Sequence, residues 1–181
     1  MAPYAVSKLA AEHYCHVSTK VYGLETVSLR YFNVFGDRQD PLSHYSAVIP
    51  RFVTAMQAGR SPVIFGDGKQ SRDFTYVGNV VSASLLAAEA PGAAGLAFNI
   101  ATGENHSLNE LVAALNRLLG TDVRPTYAAP RAGDIEHSWA DISRAREVLG
   151  YRPEFGFEDG LRAAVKSYQH MDLESLEQVH A

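Results

Sequence analysis

Residues 3–32 read PYAVSKLAAEHYCHVSTKVYGLETVSLRYF, and this stretch decides the fold class. Its first part repeats apolar residues at helical spacing, which predicts a helix from Pro3 to Val21. Gly23 is a residue type that ends helices. The β-branched and aromatic residues from Glu25 to Phe32 predict a strand immediately afterwards. A helix that leads directly into a strand is typical of an α/β protein.

Helical and extended segments keep alternating along the rest of the chain. We predict helices at Val48–Ala58, Asn79–Ala90, Ser107–Leu119, Asp141–Leu149 and Phe157–Met171, and strands at Pro62–Phe65, Arg72–Val77, Leu96–Ile100 and Val123–Ala128. Ser107 and Glu110 form a capping box, and Asp141 is predicted to cap its helix. Only the strands near Val27 and Phe98 are expected to be buried. Two strands are too few for a stable open sheet, so we expect the chain to need neighbours.

The composition is that of an ordinary globular protein, because 46% of the 181 residues are hydrophobic and 20% are charged. The formal net charge of −4 gives no indication of a nucleic-acid or anionic-membrane partner. No apolar run approaches the length of a membrane span, and no secretory signal is present. The single cysteine, Cys15, excludes an intrachain disulfide. We therefore expect a cytoplasmic protein without nucleic-acid or membrane partners.

Tyr4 and Lys8 form a Y-x-x-x-K motif at the start of the first predicted helix. Residues at this spacing lie on one helical face, one turn apart. An ammonium group beside a phenol favours the phenolate, which can then serve as a general base toward a hydroxyl group. The motif alone is weak, because tyrosine and lysine at this spacing also occur by chance on helix surfaces.

Further blocks follow this motif in order. They are SLRYFNVFGDRQDP at residues 28–41, YSAVIPR at 45–51, FGDGKQSRDFTYV at 65–77, RAGDIEHSWAD at 131–141 and LGYRP at 149–153. Together with YAVSKLAAE at residues 4–12, they closely resemble the extended short-chain dehydrogenases of the NAD-dependent epimerase/dehydratase type. The nearest likeness is the C-terminal half of the UDP-glucose and UDP-N-acetylglucosamine 4-epimerases, and it covers Met1 to about Tyr168.

The resemblance implies an α/β fold in which an incomplete Rossmann-like sheet lacks its N-terminal strands and carries a C-terminal substrate-binding lobe. Residues 1–181 are expected to form one truncated domain. Residues 1–33 and 78–106 are expected to belong to the core of the cofactor domain. Residues 34–77 and 107–171 are expected to form the substrate lobe.

The resemblance also implies catalytic and cofactor-binding roles. Tyr4 is similar to the family's catalytic base, and Lys8 is similar to the lysine that also holds the nicotinamide ribose hydroxyls. Tyr31 and Phe32 resemble the segment where cofactor and sugar meet, so both are expected to contact the cofactor. Asn33, the next residue, is expected to contact the sugar diphosphate.

A substrate site is implied in the same way. Val48 and Ile49 resemble the wall against the uracil ring. Arg72 and Arg131 resemble the arginines that clamp the diphosphate, and Asp134 resembles the acceptor for the uridine ribose. The chemistry agrees with these roles, because arginine is the residue type that binds phosphate with two parallel hydrogen bonds.

Ser138 resembles the residue beside the C2 substituent of the sugar. A small serine leaves room for an N-acetyl group, so we expect both UDP-N-acetylglucosamine and UDP-glucose to fit. The alternative is that Ser138 only begins a turn. For the two arginines, the alternative is surface ion pairing, of Arg72 with Asp73 and of Arg131 with Asp134.

The resemblance implies NAD as cofactor, but no G-x-x-G-x-x-G occurs in these 181 residues. We therefore expect that the isolated chain does not bind NAD tightly and that it is inactive or impaired by itself. The helix from Pro3 to Val21 is expected to lack part of its apolar cover, which predicts a homo-oligomer through that helix.

Three functions stay open. The first is a nucleotide-sugar 4-epimerase that takes a UDP-hexose or UDP-N-acetylhexosamine, and the second is a non-catalytic nucleotide-sugar-binding module. The third is a cofactor-independent hydrolase with repurposed residues, although no G-x-S-x-G supports it. His13 and His16 lie one turn apart without a third ligand, so we predict ordinary surface histidines and no metal site.

Overall fold

The computed structural model describes residues 3–40, 47–131 and 133–169. Within these ranges the helices are α1 (Pro3–Tyr22), α2 (Val48–Gln57), α3 (Val77–Glu89), α4 (Leu108–Leu119), α5 (Ser143–Leu149) and α6 (Phe157–Gln169). The strands are β1 (Ser28–Tyr31), β2 (Asn33–Phe35), β3 (Val63–Phe65), β4 (Ser71–Arg72), β5 (Phe74–Tyr76), β6 (Ala97–Ile100), β7 (His106–Ser107), β8 (Thr126–Ala128) and β9 (His137–Ser138). Helices alternate with mostly parallel strands, so the predicted α/β class is confirmed.

Parallel strand pairs form the framework of the fold. β1 and β6 pair over their whole lengths. β2 pairs with β5 so that Asn33 lies opposite Phe74, and β3 pairs with β8. β4 lies between β7 and β9, and it sets Arg72 opposite Ser138. Parallel pairs require long connections between their strands, and the helices provide these connections. As a result, residues far apart in sequence meet at the strand ends.

Two apolar clusters hold the elements together. The larger one packs α2, α4 and α6 together, and its most deeply buried side chains include Ile49, Val53, Leu111, Leu115 and Leu161. The other packs α3 and α5 against β6, through Ala83, Phe98, Ile100, Ala145 and Tyr151 among others. Truncating a buried leucine in such a cluster costs roughly 2–5 kcal/mol, so these contacts dominate the stability of the fold.

Helix α4 shows how the local sequence sets an element. The Ser107 hydroxyl accepts a hydrogen bond from the Glu110 N–H, and the Glu110 carboxylate accepts one from the Ser107 N–H. These reciprocal bonds satisfy N–H groups that have no partner inside the helix. The helix ends at Gly120, whose φ of 68° lies in the left-handed region that favours glycine. The predicted capping box is confirmed.

Several boundaries differ from the prediction. Ile142, and not Asp141, directly precedes α5, and it makes no side-chain cap. The Asp141 carboxylate accepts the Ser143 N–H at 2.8 Å, so Asp141 still satisfies an N–H group of the first turn, from one position further out than predicted. The strand predicted at Arg72–Val77 is interrupted at Asp73. Before this residue β4 pairs with β7 and β9, and after it β5 pairs with β2. β7 and β9 were not predicted, because strands of two residues are too short to show a periodicity.

The two-lobe division stays a prediction, and one segment packs differently from it. Residues 140–151, which were expected in the substrate lobe, contribute Ala140, Ile142, Ala145, Leu149 and Tyr151 to the cluster around β6. The physical reason is the short helix α5, which lies against β6. Residues 170 and 171 of the last predicted helix lie outside the described part of the chain.

Helix α1 contacts the rest of the fold mainly through polar groups, and none of its residues is buried. Arg30 donates two hydrogen bonds of 2.6 and 2.7 Å to Glu12, and this bonding lowers the pKa of Glu12. The Thr26 hydroxyl donates to the Cys15 carbonyl, and a His16 ring nitrogen bonds the Gly95 carbonyl. Among the described residues, no helix has the length and apolar character to cross a membrane.

Candidate functional site

One pocket of about 390 Å³ opens between α2, the β2–β5 strand pair, β3 and the segment after β8. Its lining includes all but one of the residues predicted to bind substrate, namely Asn33, Val48, Ile49, Arg72, Arg131 and Asp134. These residues come from separate elements, and only the fold brings them together.

The wall of the pocket is apolar. Val48 and Ile49 begin α2, and Phe52 and Ala55 follow them at helical spacing. Phe74 faces the pocket from β5. Such a surface suits a flat ring, because contact between the ring and the wall removes water from the apolar surface of both. Phe52 and Ala55 were not singled out in the sequence, although the helical period from Val48 indicated them.

Arg72 is held from several sides at the polar end of the pocket. Its guanidinium donates to the Ser71 carbonyl at 2.8 Å and to the Glu136 carbonyl at 3.2 Å. It also donates to the Asp134 carboxylate at 2.8 Å. The surface ion pair considered for Arg72 therefore forms with Asp134 and not with Asp73. The strand pairing of β4 with β9 is the reason, because it brings residues 134–138 beside Arg72.

Arg131 is held by an aromatic contact. Its guanidinium carbon lies 3.8 Å from the centre of the Phe65 ring, a stacked arrangement that leaves the N–H groups at the rim of the plane available. Among the described residues, no carboxylate pairs with Arg131, so the alternative pairing with Asp134 is absent. Arg131 is exposed, and it also lines an adjoining open pocket of about 920 Å³.

Asp73 is fully buried behind Arg72. Its carboxylate accepts hydrogen bonds from the Thr102 N–H at 2.9 Å, the Thr102 hydroxyl at 2.7 Å and the Gly103 N–H at 2.9 Å. Its own N–H donates to the Ser138 carbonyl, and its carbonyl accepts from the Asn33 N–H. Asp73 thus ties the end of β6 to the strands that carry Asn33, Arg72 and Ser138. From the sequence, Asp73 was considered only as an ion-pair partner of Arg72.

Charge and shape together define what the pocket can bind. Among the described residues of its lining, the charged side chains are Arg51, Arg72, Arg131 and Asp134, which give this part of the site a net positive charge. Arg51 was not predicted, although it lies on α2 at helical spacing from Val48. An apolar wall beside guanidinium groups suits a ligand that joins a flat ring to a phosphate chain.

Residues 1–101 match the NAD dependent epimerase/dehydratase family, which is more than half of the chain. The chain belongs to this family. A putative UDP-glucose 4-epimerase of Methanocaldococcus jannaschii is 39% identical over 91% of this epimerase-family chain and 52% of its own length. The resemblance drawn from the sequence is therefore confirmed.

Solved structures agree with the family. A UDP-glucose 4-epimerase from Thermotoga maritima with UDP-glucose is 38% identical, with a TM-score of 0.89 over 97% of this chain and 55% of that one. A UDP-N-acetylglucosamine 4-epimerase from Methanobrevibacter ruminantium M1, in complex with UDP-N-acetylmuramic acid, is 44% identical, with a TM-score of 0.88 over 93% and 54%. The Rossmann-like fold is confirmed, and the epimerase-family chain spans about half the length of these relatives.

The predicted catalytic pair of this epimerase-family chain lies outside the pocket. Tyr4 and Lys8 occupy the first turns of α1, where the Lys8 ammonium lies 5.4 Å from the centre of the Tyr4 ring. Both side chains are exposed, and the exposed fraction of Tyr4 is 72%. They share one helical face, as the motif predicted, and their catalytic role stays a prediction.

Three other predicted site residues follow one another at the end of β1, and they contact different parts of the fold. The Tyr31 hydroxyl lies 3.3 Å from the Ser84 hydroxyl, and Phe32 packs against the cluster around β6. Asn33 then enters the pocket. Ser138 is half-buried and does not line the pocket. Within the described residues, no group of three histidine, cysteine or acidic side chains is placed to hold a metal ion.

Proposed function

We propose that this chain carries the substrate site and the proton-transfer residues of a nucleotide-sugar 4-epimerase that acts on a UDP-hexose or UDP-N-acetylhexosamine. The observation that carries the proposal is the pocket in which Asn33, Val48, Ile49, Arg72, Arg131 and Asp134 meet. The apolar wall from α2 suits a uracil ring. Arg131 and Arg72 suit the diphosphate, which would place the sugar on the side of Asn33.

Tyr4 and Lys8 supply the proton chemistry in this proposal. NAD, when bound, supplies the hydride acceptor and donor for C4 of the sugar. Tyr4 takes the proton of the C4 hydroxyl and later returns it. Lys8 lies one turn further along the same face of α1, with its ammonium 5.4 Å from the centre of the Tyr4 ring. The donor set fits the cofactor, because the exposed Lys8 ammonium is free to donate to ribose hydroxyls. Weak NAD binding by these 181 residues alone stays a prediction.

Replacing Arg131 with alanine is expected to weaken UDP binding by about tenfold to a hundredfold, because hydrogen bonds to a charged group contribute about 1.5–3 kcal/mol. Calorimetry with UDP measures the effect. Arg117→Ala is the matched control, because Arg117 is exposed, pairs with Glu158 and lies outside the pocket. Equal affinities for UDP in the parent and Arg131→Ala, or no UDP binding by the parent, would contradict the proposal.

Ser138→Tyr is expected to abolish turnover of the UDP-N-acetylhexosamine and to keep turnover of UDP-glucose. The larger side chain would fill the space beside the C2 substituent of the sugar. The assay requires the chain fused to the complete cofactor-binding half of a relative, with both UDP-sugars compared. Ser138→Ala is the matched control and should turn over both. If the tyrosine affected both UDP-sugars equally, or neither of them, Ser138 would not lie at the sugar site.

We further propose that the chain self-associates through α1. Leu9, Val17 and Val21 leave 53%, 48% and 65% of their surfaces exposed along this helix. Leu9→Glu is expected to shift the protein toward monomer in sedimentation experiments, because a charge would have to be buried at the contact. Leu85→Glu, on the similarly exposed face of α3, is the control. A parent that stays monomeric at high concentration would count against association.

A further inference from the structure

Three arginines line the pocket, and two of them, Arg72 and Arg131, differ in their electrostatic state. Arg72 is the more sheltered, with 14% of its side chain exposed, and it shares its charge with the Asp134 carboxylate at 2.8 Å. Arg131 stacks on Phe65, and no carboxylate of the described residues pairs with it. Among the described residues, an anion that enters the pocket therefore meets two guanidinium groups without a carboxylate partner, those of Arg51 and Arg131, and one, that of Arg72, which a carboxylate already neutralises.

Arg72 has two further hydrogen-bond acceptors besides Asp134. The Arg72 guanidinium also donates to the Ser71 and Glu136 carbonyls, which belong to the paired strands and the segment beside them. The Asp134 oxygen that accepts the hydrogen bond from Arg72 also accepts one from the Ile135 N–H at 3.0 Å. The Asp134 side chain is 44% exposed and lines both adjoining pockets. Its charge therefore faces the ligand space.

A carboxylate in this position interacts differently with a free phosphate anion and with a phosphate chain that is joined to a sugar. It repels a phosphate group, and it reduces the attraction of Arg72 for that group. Because a carboxylate is an acceptor only, it gains from a ligand that brings hydroxyl donors. A phosphate chain joined to a sugar can offset the repulsion with several sugar hydroxyl groups, whereas a free phosphate anion carries no sugar hydroxyls.

We infer that Asp134 is a selectivity residue that excludes free phosphate anions from the pocket and retains phosphate chains joined to a hydroxyl-bearing sugar. The inference deepens the proposed function and rests on it for the sugar-bearing ligand. The exclusion of free anions depends only on the pairing of Arg72 with Asp134. Selection of this kind would matter for a site that meets inorganic phosphates together with its substrate.

Asp134→Asn in the full chain tests the inference, because asparagine keeps an oxygen toward Arg72 and removes the charge. Calorimetry with inorganic pyrophosphate should show binding about fivefold to twentyfold tighter than in the parent. Binding of UDP should gain less or weaken, so the preference for UDP over pyrophosphate should fall about tenfold. Asp122→Asn is the matched control, because it also removes one carboxylate charge and Asp122 is exposed and lines neither pocket. It should change both affinities less than twofold.

The pyrophosphate measurements decide the inference separately from the proposed function. Equal changes in Asp134→Asn and Asp122→Asn would show an effect of net charge only and would overturn it. Weaker pyrophosphate binding in Asp134→Asn, or none in either protein, would overturn it as well. A parent that does not bind UDP, together with an Asp134→Asn variant that binds pyrophosphate more tightly, would reject the nucleotide proposal and keep the exclusion of free anions.

Discussion

Replacing Asp73 with alanine is expected to lower the free energy of unfolding by about 3–5 kcal/mol. The Asp73 carboxylate is fully buried, and it accepts hydrogen bonds from both N–H groups at Thr102 and Gly103. Alanine leaves these donors without a partner in a region closed to water, and each unsatisfied buried group costs about 1–3 kcal/mol. Urea unfolding followed by circular dichroism measures the change.

Two further variants sharpen this result. Asp73→Asn keeps one oxygen acceptor but points an N–H donor at the donor groups of residues 102 and 103. We therefore expect a loss in the free energy of unfolding that is smaller than that of Asp73→Ala. Asp122→Ala removes an exposed aspartate and should stay within about 0.5 kcal/mol of the parent. A loss below about 1 kcal/mol in Asp73→Ala would mean that the carboxylate does not tie β6 to the pocket strands.

Tyr4→Phe is expected to reduce epimerase turnover by about a hundredfold to ten-thousandfold, which is the usual contribution of a positioned general acid or base. The assay uses the chain fused to the complete cofactor-binding half of a relative. The KM for the UDP-sugar should change little, because Tyr4 lies outside the pocket that is proposed to hold the nucleotide. A change in kcat without a change in KM would place Tyr4 in the chemical step.

The control for this variant lies on the same helix. Tyr14 is 76% exposed, so Tyr14→Phe removes a hydroxyl from α1 without touching the Y-x-x-x-K motif. Its turnover should equal that of the parent. A loss of less than about tenfold in Tyr4→Phe would mean that another group, or water, moves the proton.

The sequence by itself predicted the elements that local interactions determine. Helix α4 was found with its boundaries, because Ser107, Glu110 and Gly120 act on neighbours within a few positions. Helix α1 was found from its helical periodicity, and the strand after it was found from its β-branched and aromatic residues. The ordered blocks also indicated the family, and with it the residue types of the pocket, because a ligand of given chemistry requires those types at those positions.

Only the tertiary structure decided which of these residues meet. Arg72 is adjacent to Asp73 in sequence, yet it pairs with Asp134, and Asp73 instead binds Thr102 and Gly103. The pairing of β4 with β9 produces the first contact, and β9, a strand of two residues, was too short to predict. Parallel strands join distant parts of a chain, and their register follows from the packing of the whole core, so no local pattern records which side chains they bring together.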